Sequence, residues 1–182
     1  MKQIIKNTII LTLITLVAGV ALACVYSITK EPIAKADEKA TIAAYKIVLS
    51  EADSFKSLDL KDYSDENNST VSAVSKAVKS DKTVGYVMTT ASKGYGGDIK
   101  IALGIDLNGK LTGISVLDAS NETPGLGAKV KEDDFTSRFK NISGDETDDV
   151  DTISGATYSS NGVKNAVKAG FEYYNKNLKG GN

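Results

Sequence analysis

No charged residue lies between Lys6 and Lys30. The intervening stretch, Asn7–Thr29, is rich in Ile, Leu, Val and Ala and is long enough to cross a bilayer as a helix. In a chain of 182 residues this leaves room for one further compact domain with a sizeable core. A retained anchor is the expected state. Two other readings of the stretch are a cleaved signal peptide, although the apolar run exceeds a usual h-region, and a lipoprotein signal. The latter arises because Ala21-Leu22-Ala23-Cys24 loosely follows a lipobox. Lys2 and Lys6 flank one end, and Lys30, Lys35 and Lys39 the other, so positive charge does not orient the helix.

Composition narrows the chemistry. A net charge of -1 offers no basic surface for nucleic acid. With no histidine, Ser-His-Asp and Cys-His nucleophiles and the usual zinc sites are excluded. The single cysteine, Cys24, forms no intrachain disulfide and provides neither a dithiol nor a cluster ligand set. Any redox chemistry therefore needs a cofactor.

After the apolar run, Glu31–Leu49 reads as a helix with Pro32 near its start and an apolar stripe of Ile33, Ala36, Ala40, Ala43, Ala44, Ile47 and Val48. It is either a separate helix or a stalk continuing the first. Leu60–Thr70 is polar and reads as a surface loop. Val71–Val78 fits either helix or strand and is assigned to a hairpin with the β-rich run Val84–Thr90, across Lys79-Ser80-Asp81-Lys82. Ile99, Ile101, Leu103 and Ile105 alternate as in a half-buried strand, and Asn108-Gly109 turns that strand into Leu111–Leu117. Strands flanked by helices predict an α+β domain with an antiparallel sheet. Residues 1–30 are assigned to the anchor, 31–60 to a helical stalk or linker and 61–182 to the domain.

Near the C-terminus, Asp151-Thr152-Ile153-Ser154-Gly155-Ala156-Thr157 is a small-residue turn ending in a hydroxyl. Ser159, Ser160 and Asn161 offer N-cap side chains for a helix whose apolar stripe is Val163, Val167, Gly170, Phe171, Tyr174 and Leu178, ended by Gly180-Gly181. Thr157 is thus expected just upstream of a helix N-terminus, where free N–H groups and the helix dipole favour a phosphate. The acidic run Asp145, Glu146, Asp148 and Asp149 reads as a solvated loop.

The stretch ending in Thr157 resembles the D-x-x-S-G-A-T flavinylation motif of the FMN-binding domain family. Two further stretches resemble that family in the same order: Lys93-Gly94-Tyr95-Gly96-Gly97 its G-Y-G-G turn, and Glu122-Thr123-Pro124-Gly125-Leu126-Gly127 its E-T-P-G-L-G loop. The resemblance implies FMN joined to Thr157 by a phosphoester bond, installed by a flavin transferase that takes FMN from FAD with a divalent metal. It places Asp151, Ser154, Gly155 and Ala156 around that bond. It sets Glu122, Thr123, Gly125, Leu126 and Gly127 against the isoalloxazine, with Glu122 and Thr123 hydrogen-bonding the ring or ribityl chain. Gly96 and Gly97 would bring backbone close to the ligand, with Tyr95 as a packing surface. Lys129 is a weaker candidate for favouring an anionic flavin. Members often carry His two residues before the Glu; this chain has Ser120, so a role for that His is not carried over.

The three motifs behind one N-terminal membrane segment most resemble the electron-carrying subunits of membrane complexes of the Rnf type (ferredoxin:NAD+ oxidoreductases), with those of Na+-translocating NADH:quinone reductase as the alternative. The resemblance therefore implies other membrane and soluble subunits as partners. It also implies a single-pass position in the cell membrane, with the domain outside the cytoplasm. A different flavin enzyme, or a non-redox anchored binding protein of the same fold, is the alternative.

Overall fold

The computed structural model describes residues 1–60 and 69–179. Most of the expected Leu60–Thr70 loop, and the Gly180-Gly181 helix stop, lie outside the described residues. Two units are distinguished, Met1–Lys39 and Ala40–Asn182.

Helix α1 runs from Lys2 to Val48, with Pro32 inside it. The helix beginning at Glu31 is therefore a continuation of the apolar helix. In the first unit, α1 holds a stretch long and apolar enough to cross a membrane. Leu11, Leu22 and Ile28 are all exposed on it. The hydroxyls of Thr8, Thr12, Thr15, Ser27 and Thr29 each donate back to a carbonyl three or four residues earlier. These five hydroxyls are thereby satisfied within the helix, as hydrocarbon surroundings require.

The second unit begins at Ala40, within the stretch assigned to stalk and linker. It contains the last turns of α1 and a five-stranded antiparallel meander in the order β1-β2-β3-β4-β5. The strands are β1 (Ser54–Ser57), β2 (Thr70–Lys79), β3 (Lys82–Lys93), β4 (Asp98–Asp106) and β5 (Leu111–Asp118). Val71–Val78 is thus a strand, and the β2–β3 turn is left-handed at both Ser80 (φ 47°) and Asp81 (φ 63°), the twist that suits a two-residue hairpin. Gly109, with φ 78°, serves the β4–β5 turn.

The short helix α2 (Asp133–Thr136) and 3-10 turns at Gly127–Lys131, Ser137–Phe139 and Asp145–Asp149 link β5 to helix α3 (Thr157–Asn177). The acidic run is thus one of those 3-10 turns, with its Thr147 buried. Helix α3 packs Val163, Ala166, Val167, Phe171 and Tyr174 into a core with Met88, Ile99, Ile101, Leu103 and Ile105.

Strand β4 departs from the half-buried expectation, because its second face is covered too. Ala102 packs with Ala44, Tyr45, Val48 and Leu49 from the end of α1 and the residues after it. At Gly104 an added Cβ would lie 3.0 Å from Val48 O. The small residues on that face let the α1 end lie close, and the hydroxyl of Thr112 donates to Val48 O. Tyr45 is buried against Thr89, whose hydroxyl lies 2.8 Å from the phenol, and burial pushes the Tyr45 pKa up.

Candidate functional site

Three segments distant in sequence meet at one end of the sheet: the Gly94–Gly97 turn between β3 and β4, the loop after β5, and the first turn of α3. The Gly94–Gly97 turn is closed by Gly94 N–H donating to Gly97 O at 2.8 Å. The β5 loop folds on itself as Thr123 O accepts from both Leu126 N–H and Ala128 N–H at 3.1 Å. At Gly125 φ is +74°, a conformation that suits glycine.

The third segment differs from the sequence-based expectation. Helix α3 starts at Thr157, so Thr157 is its first residue instead of lying upstream of it. The N-cap is Ala156, which makes no side-chain cap bond. Ser159 and Ser160 are buried and point elsewhere. The Ser160 hydroxyl donates to Ala156 O and accepts from Ile153 N–H, both at 3.0 Å, fixing the turn that precedes the helix. The Ser159 hydroxyl donates to Glu122 Oε2. Asn161 is exposed. The N-terminal N–H groups of α3 therefore lack a side-chain cap, and Thr157, exposed, makes no hydrogen bond through its hydroxyl among the described residues.

Between the three segments lies a cavity of about 280 Å³, just below the usual range for ligand pockets. Tyr95, Thr123, Leu126, Gly127, Gly155 and Ala156 line it, together with Tyr158 and Ser159. Tyr95 and Tyr158 stand side by side at 6.2 Å between ring centroids, and are 71% and 73% exposed. Leu126 is a further exposed apolar surface, 3.2 Å from where a Cβ on Gly155 would lie.

Several anticipated contact residues do not line this cavity. Glu122 is buried, with Oε1 accepting Gly96 N–H at 3.0 Å and Oε2 taking the Ser159 hydroxyl. Gly96 and Gly97 pack on the β5 loop, since a Cβ would meet Asn121 O at 1.8 Å in the first case and Asn121 Nδ2 at 2.8 Å in the second. Their glycine character serves an approach of loop to loop. Gly125 faces open space. Ser154 and Asp151 are exposed beside Thr157's turn, and Asp151 O accepts from Arg138 Nη1 at 2.9 Å. Lys129 is exposed in the 3-10 turn at Gly127–Lys131. The described residues hold no cluster of three or more acids or Cys able to bind a metal.

Sequence reasoning missed Tyr158 and gave Ser159 the wrong task. Tyr158 directly follows the motif hydroxyl, and its position on a first helical turn was the available signal. Lys164 was also missed. Its buried ammonium donates to Asp148 O at 2.7 Å and Val150 O at 2.9 Å, which anchors the entry to the Asp151–Thr157 turn.

Residues 94–172 match the FMN-binding domain family, and residues 1–48 match the RnfG N-terminal region. The chain is 30% identical over 172 residues to the G subunit of the proton-translocating ferredoxin:NAD(+) oxidoreductase complex of Clostridium ljungdahlii, covering 89% of this chain and 86% of that one. It is 29% identical to the G subunit of the Na(+)-translocating ferredoxin:NAD(+) oxidoreductase complex of Acetobacterium woodii, covering 95% and 92%. In fold it is similar to the crystal structure of the C subunit of Na(+)-translocating NADH-quinone reductase from Parabacteroides distasonis, with a TM-score of 0.50 and 23% identity over 60% of this chain and 64% of that one. With an FMN-binding domain behind an N-terminal apolar helix, and near-full-length likeness to these G subunits, the chain belongs to the RnfG family of Rnf-type ion-translocating oxidoreductase complexes.

Proposed function

We propose that this chain is the electron-carrying flavoprotein subunit of a membrane ferredoxin:NAD+ oxidoreductase complex, with FMN held covalently on Thr157. One observation carries the covalent assignment: Thr157 is an exposed hydroxyl on the first residue of an α-helix whose N-terminus has no side-chain cap. Uncapped N–H groups and the positive end of the helix dipole suit a phosphodiester at that hydroxyl. The residues present fit the rest of the group. Tyr95, Tyr158 and Leu126 offer flat and apolar surface beside the cavity, and Thr123 and the backbone of Gly127 offer polar atoms.

When bound, FMN supplies the redox chemistry of the protein. The chain's own residues bind and orient. Thr157 provides the oxygen that forms the phosphoester, losing its proton as a flavin transferase transfers FMN from FAD and AMP leaves. Ala156 and Gly155 keep the turn narrow beside it. Gly155, with φ +78°, holds a conformation that a larger residue would adopt only under strain. Within the complex the domain exchanges electrons with other membrane and soluble subunits, coupled to Na+ or H+ movement. The α1 helix anchors the chain in lipid, with the domain on the extracytoplasmic side.

The test is co-expression with a flavin transferase and a denaturing gel viewed for flavin fluorescence. A fluorescent wild-type band and a dark Thr157→Ala band are expected. A wild-type chain that folds but stays dark would point to a non-redox binding protein of the same fold.

A further inference from the structure

Glu122 is an acid in a loop, yet it is only 3% exposed. Its two oxygens reach two different elements. Oε1 accepts Gly96 N–H at 3.0 Å, and Oε2 accepts the Ser159 hydroxyl on the first turn of α3. Space for the carboxylate is made by glycines. A Cβ on Gly94 would lie 2.5 Å from Oε1, and one on Gly127 would lie 2.7 Å from Oε2 and 2.5 Å from Ser159 Oγ. The same two elements also approach directly, since a Cβ on Gly162 of α3 would lie 2.8 Å from Lys93 O. Glycines of the turn and of the β5 loop therefore make room for one buried acid, and Gly162 lets α3 lie against the turn beside it.

We propose that Glu122 is a positioning residue for the flavin site. By joining the Gly94–Gly97 turn to the first turn of α3, it presents Tyr95, Tyr158 and Thr157 in one fixed arrangement. Buried at 3% exposure and absent from the cavity lining, it acts through the residues it joins and not as a ligand of the flavin ring. A carboxylate suits the task because both groups it meets donate, and it can accept from each. Glutamine retains one acceptor for Gly96 N–H, and its amide can donate to Ser159 Oγ. Alanine retains neither contact. The inference rests on Thr157 as the flavin residue only in its final readout.

The experiment uses the full chain in detergent as wild type, Glu122→Ala, Glu122→Gln and Ser159→Ala. Hydrogen exchange is measured on unmodified protein, followed by the rate of flavin attachment with purified transferase, FAD and a divalent metal. Glu122→Ala should speed exchange at both Gly94–Gly97 and the first turn of α3 by about tenfold or more, the loss expected for a charge-assisted hydrogen bond. Attachment should slow by a comparable factor. Glu122→Gln should recover both to within about threefold of wild type. Ser159→Ala should loosen the first turn of α3 and leave the Gly96 amide protected. Unchanged exchange in Glu122→Ala would overturn the proposal. So would attachment that is equally slow in Glu122→Gln and Glu122→Ala with exchange still protected, because charge on the ligand would then be the cause. Should Glu122→Ala not fold, an unaltered first turn of α3 in Ser159→Ala overturns it instead. Absence of attachment to wild type would refute the flavin reading alone, and the exchange arm would still decide whether Glu122 joins the two elements.

Discussion

Replacing Gly96 by alanine should destabilise the domain far more than the same change at Gly125, although both glycines lie in loops of the site. At Gly96 the new methyl would lie 1.8 Å from Asn121 O, a backbone atom that moves only with its loop. Overpacking of this kind costs about 1–3 kcal/mol. Moving the turn away also stretches the Gly96 N–H bond to the Glu122 carboxylate, worth about 1.5–3 kcal/mol. Alanine returns about 0.4–1 kcal/mol by restricting the unfolded chain. The net loss is about 2–5 kcal/mol. At Gly125 no atom lies within 4 Å, so the only cost is the left-handed backbone at φ +74°. That costs about 1–2 kcal/mol, offset by the same entropy gain, for a net loss of about 1 kcal/mol. For a domain of this size the Gly96→Ala melting temperature should fall by about 5–15 °C, and the Gly125→Ala value by less than about 5 °C. The assay is thermal melting of the full chain in detergent, followed by near-ultraviolet circular dichroism. The signal comes from tyrosine and phenylalanine, because the chain has no Trp. Equal shifts, or a larger shift for Gly125→Ala, would refute the loop-on-loop packing described for Gly96.

Three further outcomes are expected. Lys164→Met strands the carbonyls of Asp148 and Val150, should cost about 2–3 kcal/mol, and should expose the Asp148–Ala156 segment to faster hydrogen exchange with α3 retained. Asp118 is held below its ordinary pKa by Ser120 N–H, as Asp148 is by Lys168. Such lowered carboxylates stabilise the fold above their ordinary pKa and lose that contribution as pH falls through the folded value, so melting temperature should be level from pH ~7 to ~5 and decline below ~4, with a shallower decline in Asp118→Asn. Intact mass of the mature protein should show the N-terminal helix retained; a chain starting at a lipid-modified Cys24, or later, would contradict the anchor.

The elements whose patterns are local were legible in the sequence. The uncharged run gave the apolar helix, alternation gave β4, Asn108-Gly109 gave its turn, and the stripe from Val163 to Tyr174 lies on α3, with Leu178 at its C-cap packed against the same core. Features that depend on distant partners were not legible. Alternation cannot reveal that Ala102 and Gly104 lie under the end of α1, because small residues fit solvent and close packing equally well. Strand β1 is only Ser54–Ser57 and is defined by pairing with β2, not by an apolar pattern of its own. Ser159 and Ser160 are good N-cap residues, yet their hydroxyls are taken by Glu122 and by the preceding turn, and the weak capping residue Ala156 begins the helix. The burial of Glu122 was not legible either, because charged loop residues usually face solvent and this one is enclosed only when three distant segments fold together.

The most direct test of the account is the site of the flavin on the native protein. Trypsin should cleave after Lys140 and Lys164, releasing Asn141–Lys164 with Thr157 inside it. Fragmentation of that peptide from transferase-treated wild type should place the mass of FMN, less one water, on Thr157, and Thr157→Ser should retain part of it. An adduct mapped to Thr152, Ser154, Ser159 or Ser160, or a flavinylated Thr157→Ala chain, would contradict the assignment.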